Sequence, residues 1–130
     1  MRCCRPLALA AAALLSACAA VTTADGTRLA LRSDEFRAYV ERVFRDQNKT
    51  ASELAFALDD ATFGGGTEPR ELATAEETLL AACTGLNELA TSRRDAQHLG
   101  LRRSAAAARG APECERATRA AQAALAARAR

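Results

Sequence analysis

The chain has 130 residues, 49% of them hydrophobic, which is enough for one small domain with a modest core. Its formal net charge is +2, and two of the 18 basic residues, Arg2 and Arg5, lie at the extreme N-terminus. Without residues 1–17 the acidic and basic side chains balance, so the composition gives no support to nucleic-acid binding.

Residues 1–17 have the layout of a secretory signal peptide. Arg2 and Arg5 form a positive start, and an uncharged apolar stretch follows from Leu7 to Leu15. This stretch is too short for a membrane-spanning helix, which needs about 20 apolar residues. The sequence therefore predicts export, with residues 1–17 removed from the mature chain.

The signal ends in Leu15-Ser16-Ala17-Cys18, which resembles the lipobox of bacterial lipoproteins. The resemblance implies that the Cys18 thiol receives a diacylglyceryl group, that cleavage occurs before this cysteine, and that its new amine is acylated, for example with palmitate. Two or three acyl chains anchor a protein stably, whereas one chain is marginal. Because Ala rather than Asp follows Cys18, the resemblance implies the outer membrane, facing the periplasm. The alternative is a chance cysteine beside an ordinary cleavage site.

Residues 18–32 are expected to form the lipidated N-terminus and a short tether. They lack helical periodicity and contain the turn signal Asp25-Gly26, and residues 27–31 favour a brief extended segment. A helical bundle domain is then expected over residues 33–130.

The first predicted helix begins after Ser33, a good N-cap, and runs for roughly 27 residues. Apolar residues recur in steps of four and three, and Phe36, Phe44 and Phe56 at helical spacing are expected in the core. Polar residues 47–50 interrupt the apolar face. They predict either a kink or a polar contact inside the bundle, and a continuous helix is the favoured interpretation.

Three glycines at residues 64–66 must form a loop, because together they cost too much backbone entropy inside a helix. A second helix is expected after them, capped by Thr67 and with Pro69 in its first turn. Leucines recur every seven residues along this helix, which places Cys83 on its apolar face.

Two cysteines, Cys83 and Cys114, remain after the signal in a compartment that is usually oxidising. A disulfide is the default interpretation. The alternatives are two free thiols or a two-ligand metal site, for which His98 is the only histidine. The third helix can begin after a chain reversal at Gly100 or at residues 110–112. Only a reversal near Gly100 brings the cysteines level, because disulfide Cα atoms must come within about 7 Å.

The predicted fold class is therefore all-α, a small antiparallel three-helix bundle pinned by one disulfide. Charge is uneven along this bundle: residues 25–88 hold thirteen acids and seven bases, and residues 93–130 hold three acids and nine bases. Either the two halves pack together and compensate each other, or the C-terminal part offers a basic face to an anionic partner such as lipid headgroups or an acidic protein.

The sequence contains none of the motifs GxSxG, Walker loop or HExxH, and no Cys/His ligand set. It therefore predicts no catalytic, cofactor-binding or metal site. An enzyme would require Asp59, Asp60 and His98 to converge. Phe63, beside the glycines, is the candidate for an exposed apolar contact.

The sequence predicts a non-enzymatic cell-envelope lipoprotein that acts through protein–protein contacts as an assembly or structural accessory. Its expected partners are the membrane, through lipid on Cys18, and an envelope protein; no nucleic acid or cofactor is expected. The alternative is a periplasmic inhibitor or ligand-binding module that uses the Phe63 loop or the arginine-rich end. An accessory is expected to co-purify with a large envelope complex, and an inhibitor with a soluble periplasmic target.

Overall fold

The computed structural model describes residues 20–63 and 69–128, which form two short strands and three helices. In chain order the elements are β1 (Ala20–Thr22), β2 (Arg28–Ala30), α1 (Asp34–Phe63), α2 (Arg70–Arg94) and α3 (Leu101–Arg128). Each helix contacts the other two. The protein is thus mostly helical, as predicted, but the two strands mean that all-α describes it only approximately. The predicted lipid attachment residue Cys18 lies outside the described residues.

The two strands form an antiparallel hairpin within the segment that the sequence assigned to a tether. Ala20 pairs with Ala30 and Val21 with Leu29, and the turn between the strands uses Gly26 at φ 89°. This left-handed backbone conformation is one that glycine adopts without steric cost. Val21 is only 6% exposed, so the hairpin packs onto the helices rather than extending freely from them.

Helix α1 begins as its sequence predicts. The Ser33 hydroxyl oxygen accepts a hydrogen bond from the Phe36 N–H at 3.1 Å, which satisfies one of the free donors of the first turn. The helix continues without a break through residues 47–50. The polar interruption is a contact between helices: buried Gln47 donates to the Asn87 side chain at 2.8 Å, and buried Thr50 accepts from Gln122 at 3.1 Å.

The three phenylalanines expected in the core of α1 have different environments. Phe36 is buried, at 6% exposed, and Phe44 is half-buried. The prediction for Phe56 was wrong, because its side chain is 76% exposed. Phe56 follows the fully buried Leu54 by two residues, and two residues of an α-helix turn the side chain by about 200° to the opposite face.

Helix α2 buries the heptad leucines and a cysteine on one face. Its buried apolar residues are Leu72, Leu79, Cys83 and Leu86. Pro69 is the N-cap residue rather than part of the first turn, and its extended backbone makes no side-chain capping bond. The predicted cap Thr67 lies outside the described residues. The helix ends at Arg94, with basic Arg93 and Arg94 in its last turn, where positive charge complements the helix dipole.

The chain reverses between α2 and α3 over residues 95–100, so the predicted reversal near Gly100 is confirmed. Helix α3 then runs continuously from Leu101 to Arg128 and contains Pro112 in its interior. Residues 110–112 therefore form no second break. Because proline has no N–H, the helix lacks one backbone hydrogen bond at this position.

Cys83 and Cys114 form the predicted disulfide between α2 and α3. Their Cα atoms are 4.6 Å apart and both side chains are fully buried. Gly85 lies one half-turn further along α2, where a Cβ atom would stand 3.3 Å from the Ala107 Cα of α3. The two helices therefore pack closely, and the alanine-rich face of α3 and a glycine of α2 make this approach possible.

Reducing the disulfide is expected to lower the free energy of unfolding by roughly 3–4 kcal/mol, because the bond closes a loop with a sequence separation of 31. Urea unfolding, followed by circular dichroism with and without reductant, measures this difference. The double variant Cys83→Ala/Cys114→Ala is the control and should not respond to reductant. An unfolding midpoint of the unmodified protein that reductant leaves unchanged would contradict the expectation.

Candidate interaction surfaces

A buried carboxylate, that of Glu115 on α3, joins the hairpin to two helices. Its side chain is 6% exposed. One oxygen, Oε2, accepts a hydrogen bond from the Tyr39 hydroxyl of α1 at 2.9 Å and another from the Ala24 N–H of the hairpin turn at 3.2 Å. A single side chain thereby connects α3 to the hairpin and to α1, from which it is 91 and 76 residues away in sequence.

The other oxygen of Glu115 contacts two guanidinium groups. Arg42 of α1 lies at 3.3 Å and Arg119, one turn along α3, at 2.6 Å. Arg42 also lies over the ring of Tyr39, with its Cζ atom 5.3 Å from the ring centroid, which is the geometry of a cation–π contact. The negative charge is therefore paired and fully hydrogen-bonded, as a buried charge requires.

Two titratable side chains of this cluster have shifted pKa values. Burial, followed by the hydrogen bond to Glu115, raises the pKa of Tyr39 above its ordinary value. Burial alone would raise the pKa of Glu115 as well, but the hydrogen bonds from Tyr39, Ala24 and Arg42 and the charge of Arg119 outweigh it. The pKa of Glu115 is lowered as a result, and the carboxylate stays ionised at neutral pH.

The hairpin turn is ordered by a second carboxylate, that of Asp25. It accepts hydrogen bonds from the Thr23 hydroxyl and the Thr27 N–H. These bonds, with that from Thr23 the larger effect, lower the pKa of Asp25 to about 2. The turn that the sequence signalled as Asp25-Gly26 is thus held by its own side chains, and the Glu115 cluster then fixes it against the helices.

The Glu115 cluster is a structural site rather than a binding pocket. The cavity beside it, lined in part by Arg42, Asp46, Glu115 and Arg119, encloses about 80 Å³. Ligand pockets usually have volumes of about 300–1,000 Å³, so this cavity is much smaller than a typical ligand site. The functional surfaces must therefore be sought elsewhere on the domain.

The three residues required for a catalytic alternative do not converge. Asp59 and Asp60 are exposed near the end of α1, and His98 is exposed in the loop between α2 and α3. Asp60 pairs with Arg128 at the C-terminal end of α3, whereas His98 lies three residues before the N-terminal end of that helix. Helix α3 has 28 residues and spans about 42 Å at 1.5 Å per residue.

Phe56 and Phe63 form an exposed aromatic pair near the C-terminal end of α1. Their exposed fractions are 76% and 88%. A spacing of seven residues brings both rings to one side of a helix, with an offset of only about 20°. Asp59 and Asp60 lie between them along the helix, and Asp60 pairs with Arg128 of α3 at 3.5 Å. We call Phe56 and Phe63 the aromatic pair.

A groove lies at the other end of α1, where the end of β2 and the start of α1 meet the end of α2 and the start of α3. Four arginines line it, together with Glu41: Arg32, Arg37, Arg93 and Arg109. Its apolar wall includes Leu31, Phe36, Val40, Leu89 and Leu101, and Leu101 is 91% exposed. The groove encloses about 710 Å³. We call it the arginine groove.

Comparison with known proteins does not assign the chain to a family: no family model, curated protein or solved structure matches it. Within residues 20–63 and 69–128, no group of three or more His, Cys, Asp or Glu side chains is arranged to hold a metal ion. In the same residues, no helix is both long and apolar enough to cross a bilayer. The aromatic pair and the arginine groove are the features that carry a functional interpretation.

Sequence reasoning identified both of these features in part. The basic C-terminal part was predicted as a face for an anionic partner, and Arg93 and Arg109 of the groove belong to it. Phe63 was singled out as an exposed contact, but Phe56 was assigned to the core. The Glu115 cluster was not predicted at all. A signal for it exists: Glu115 stands four residues after Ala111 and three before Thr118, both of which are buried, so it shares their side of α3.

Replacing Glu115 by Gln is expected to lower the free energy of unfolding at pH 7 by about 2 kcal/mol, because hydrogen bonds to a buried charge are lost. Urea unfolding measures the effect. The matched control is Glu113→Gln, whose carboxylate is exposed and pairs with Arg116 on the same helix. A change within about 0.5 kcal/mol is expected for this control.

The difference between the protein and its Glu115→Gln variant should depend on pH. The pKa of Glu115 in the folded state lies below its ordinary value of 4.5, so its stabilising contribution is fully present above that value. The contribution is lost as the pH falls through the lowered pKa. A difference that persists undiminished into strong acid, or one equal to that of Glu113→Gln, would contradict the role assigned to Glu115.

Proposed function

We propose that the protein is a non-enzymatic cell-envelope lipoprotein, anchored by lipid on Cys18 to the outer membrane and facing the periplasm. Its helical domain acts through contact with an envelope protein, as an assembly or structural accessory, and uses no cofactor. The lipobox Leu15-Ser16-Ala17-Cys18 supports the anchor. The Cys83–Cys114 disulfide supports an oxidising compartment such as the periplasm.

The finer architecture that we propose is an antiparallel three-helix bundle. The contacts between α1 and α3 move toward the C-terminal end of both helices in the same order: Tyr39–Glu115, then Thr50–Gln122, then Ala57–Arg128. This order supports a parallel α1–α3 pair. Contacts between α2 and α3 run in opposite senses, because Cys83 meets Cys114 whereas the later Gly85 meets the earlier Ala107. This pattern supports an up-down-up order.

The observation that carries the proposed function is the exposure of the aromatic pair. Two phenylalanines on one side of a helix keep a large apolar area in contact with water, and burying such a ring is worth about 1.5–3 kcal/mol. Exposed apolar patches of this kind mark sites of protein–protein contact. Aromatic side chains are also enriched in the centres of protein interfaces.

The position of the aromatic pair suits a protein partner above the membrane. Phe56 and Phe63 follow Ser33 by 23 and 30 residues along one helix, which corresponds to about 35 and 45 Å. The hairpin at the start of α1 begins two residues after Cys18. A lipid on Cys18 therefore holds the hairpin end at the bilayer, and α1 carries the aromatic pair away from it.

The carboxylates of Asp59 and Asp60 define what the partner should offer. They are exposed and lie between the two rings along the helix. A complementary surface has an apolar pocket for Phe56 and Phe63 and basic or hydrogen-donating groups at its rim. The same surface is compatible with the alternative function, a periplasmic inhibitor that inserts the aromatic pair into a soluble enzyme. An inhibitor would bind its target without the lipid anchor, whereas an accessory would require the anchor to reach an envelope complex.

The variant Phe56→Ala/Phe63→Ala is expected to lose its protein partner, because it removes both rings while the fold keeps its buried core. Affinity co-purification of the full-length protein from gently solubilised envelopes, with quantitative mass spectrometry, measures the recovery. We expect a decrease of at least about tenfold, the effect of losing one interface residue worth more than 1.4 kcal/mol. Leu80→Ala, which removes a half-exposed apolar side chain from α2, is the matched control and should retain the partner.

Equal recovery of every partner with the protein and its double phenylalanine variant would contradict the proposed contact. An equal loss of the partner with the control variant Leu80→Ala would also contradict it. A soluble enzyme as the partner, retained when the lipid is absent, would favour the inhibitor over the accessory.

The lipid anchor has its own test. Metabolic labelling with palmitate in a bacterial host is expected to label the protein, and the N-terminal peptide of the mature chain should begin with lipid-bearing Cys18. Cys18→Ala should abolish the label, because the thiol that receives the diacylglyceryl group is removed. Cys3→Ala/Cys4→Ala is the control and should keep the label, since these residues leave with the signal. A label that persists in Cys18→Ala would show that the anchor lies elsewhere.

A further inference from the structure

The arginine groove lies at the end of the domain from which the predicted anchor departs. Ala20, the first residue of β1, pairs with Ala30 at the end of β2, and the chain continues from Ala30 into Leu31 and Arg32. Both of these residues line the groove. Cys18 precedes Ala20 by two residues, a distance of at most about 7 Å along the chain. The anchor that we propose on Cys18 therefore joins the described chain close to the groove.

Three of the four arginines of the groove form no ion pair within the described residues. Arg37 pairs with Asp34 at 3.3 Å on α1, and Glu41 is the acidic residue that lines the groove. Arg32, Arg93 and Arg109 are exposed and form no ion pair with any residue of the described chain. They come from three different segments, the β2–α1 junction, the end of α2 and α3, so the fold gathers them at one end.

We propose that the arginine groove docks the domain on anionic phospholipid headgroups of the membrane that carries its lipid anchor. Arg32, Arg93 and Arg109 contact headgroup phosphates, since the planar guanidinium group matches the geometry of phosphate oxygens. Leu31 and Leu101 at the rim enter the interface between headgroups and acyl chains. This inference rests on the proposed lipidation of Cys18 and extends it: the anchor holds the domain at the membrane, and the groove orients it there.

Docking at this surface has a geometric consequence. With the groove against the headgroups, the start of α1 faces the membrane and its C-terminal end points away from it. The aromatic pair then stands on the side of the domain opposite the membrane. Without docking, a domain anchored through Cys18 could rotate about its short connection, and the height of the aromatic pair above the bilayer would vary.

A tryptophan placed in the groove gives a direct test, because the sequence contains no tryptophan of its own. Leu101→Trp reports from the exposed rim of the groove, and Phe56→Trp reports from the opposite end of α1. Each full-length variant is reconstituted into vesicles of phosphatidylcholine with or without phosphatidylglycerol, and quenching by a headgroup spin-labelled lipid is measured. We expect strong quenching of Trp at 101 in the anionic vesicles and weak quenching in phosphatidylcholine alone, and we expect no quenching of Trp at 56 in the anionic vesicles, where the domain is docked.

The charge dependence is tested in the Leu101→Trp background. Arg93→Gln/Arg109→Gln should reduce the docking equilibrium constant about 25-fold, on the order of five-fold for each arginine at an anionic surface. The matched control Arg45→Gln/Arg70→Gln removes the same charge from exposed positions outside the groove and should dock as before. Raising the salt concentration should release the docked domain, because exposed charges are screened.

The proposal would be overturned if the fluorescence of Trp at 101 were unquenched in anionic vesicles, or if its quenching were equal with and without phosphatidylglycerol. An equal loss of docking in the two arginine double variants would also overturn it. Retained vesicle docking of Arg93→Gln/Arg109→Gln combined with loss of an envelope partner would also overturn it, in favour of an acidic protein in the groove. Failure of the lipid anchor is seen separately by palmitate labelling, and failure of the aromatic contact by co-purification, so the failures of the three proposals can be distinguished.

Discussion

The buried carboxylate of Glu115 is the interaction on which the position of the hairpin depends. Two strands of three residues do not form a stable sheet by themselves, since an isolated hairpin is marginal in water. Glu115 accepts the Ala24 N–H of the hairpin turn and the hydroxyl of Tyr39 on α1, and its remaining oxygen is paired with Arg42 and Arg119. One ionised group thereby converts a short extended segment into part of the domain.

Much of the helical fold could be predicted because a few constraints agree with one another. The heptad of leucines places Cys83 on the buried face of α2, and the Cα distance required by a disulfide selects the reversal near Gly100 over residues 110–112. Ser33 supplies the N-cap that its sequence context indicates. These features depend on neighbours in the sequence or on one long-range bond. They can therefore be predicted without knowing which side chains of the three helices come into contact.

The features that were not predicted depend on contacts between side chains that are distant in sequence. Tyr39 and Glu115 are 76 residues apart, and an acidic residue in an exposed-looking helix gives no sign of which hydroxyl it will bind. The extended segment predicted at residues 27–31 contains β2, but three residues are too few to show a period of two, and β1 and its pairing with β2 were not predicted. The prediction for Phe56 is wrong because hydrophobic character alone does not fix the face of a helix: Leu54 is fully buried, and Phe56, two residues later, is rotated by about 200° around the helix axis. An exposed aromatic residue that violates the helical pattern is thus informative about function, since the fold does not account for it.

The uneven distribution of charge along the chain also distinguishes the arginine groove from the aromatic pair. If the acidic and basic halves of the chain simply compensated each other, ion pairs would join acids before residue 90 to bases after it. Arg128–Asp60 is such a pair, but Arg42–Glu115 joins the halves with the signs exchanged. Asp34–Arg37, Lys49–Glu53 and Glu113–Arg116 lie within single helices. Arg93 and Arg109 therefore keep their charge at the surface, beside Arg32 and next to the predicted anchor. We propose that a cationic surface placed there matches the headgroups of an anionic membrane, whereas the carboxylates beside the aromatic pair suit a protein partner at the other end of α1.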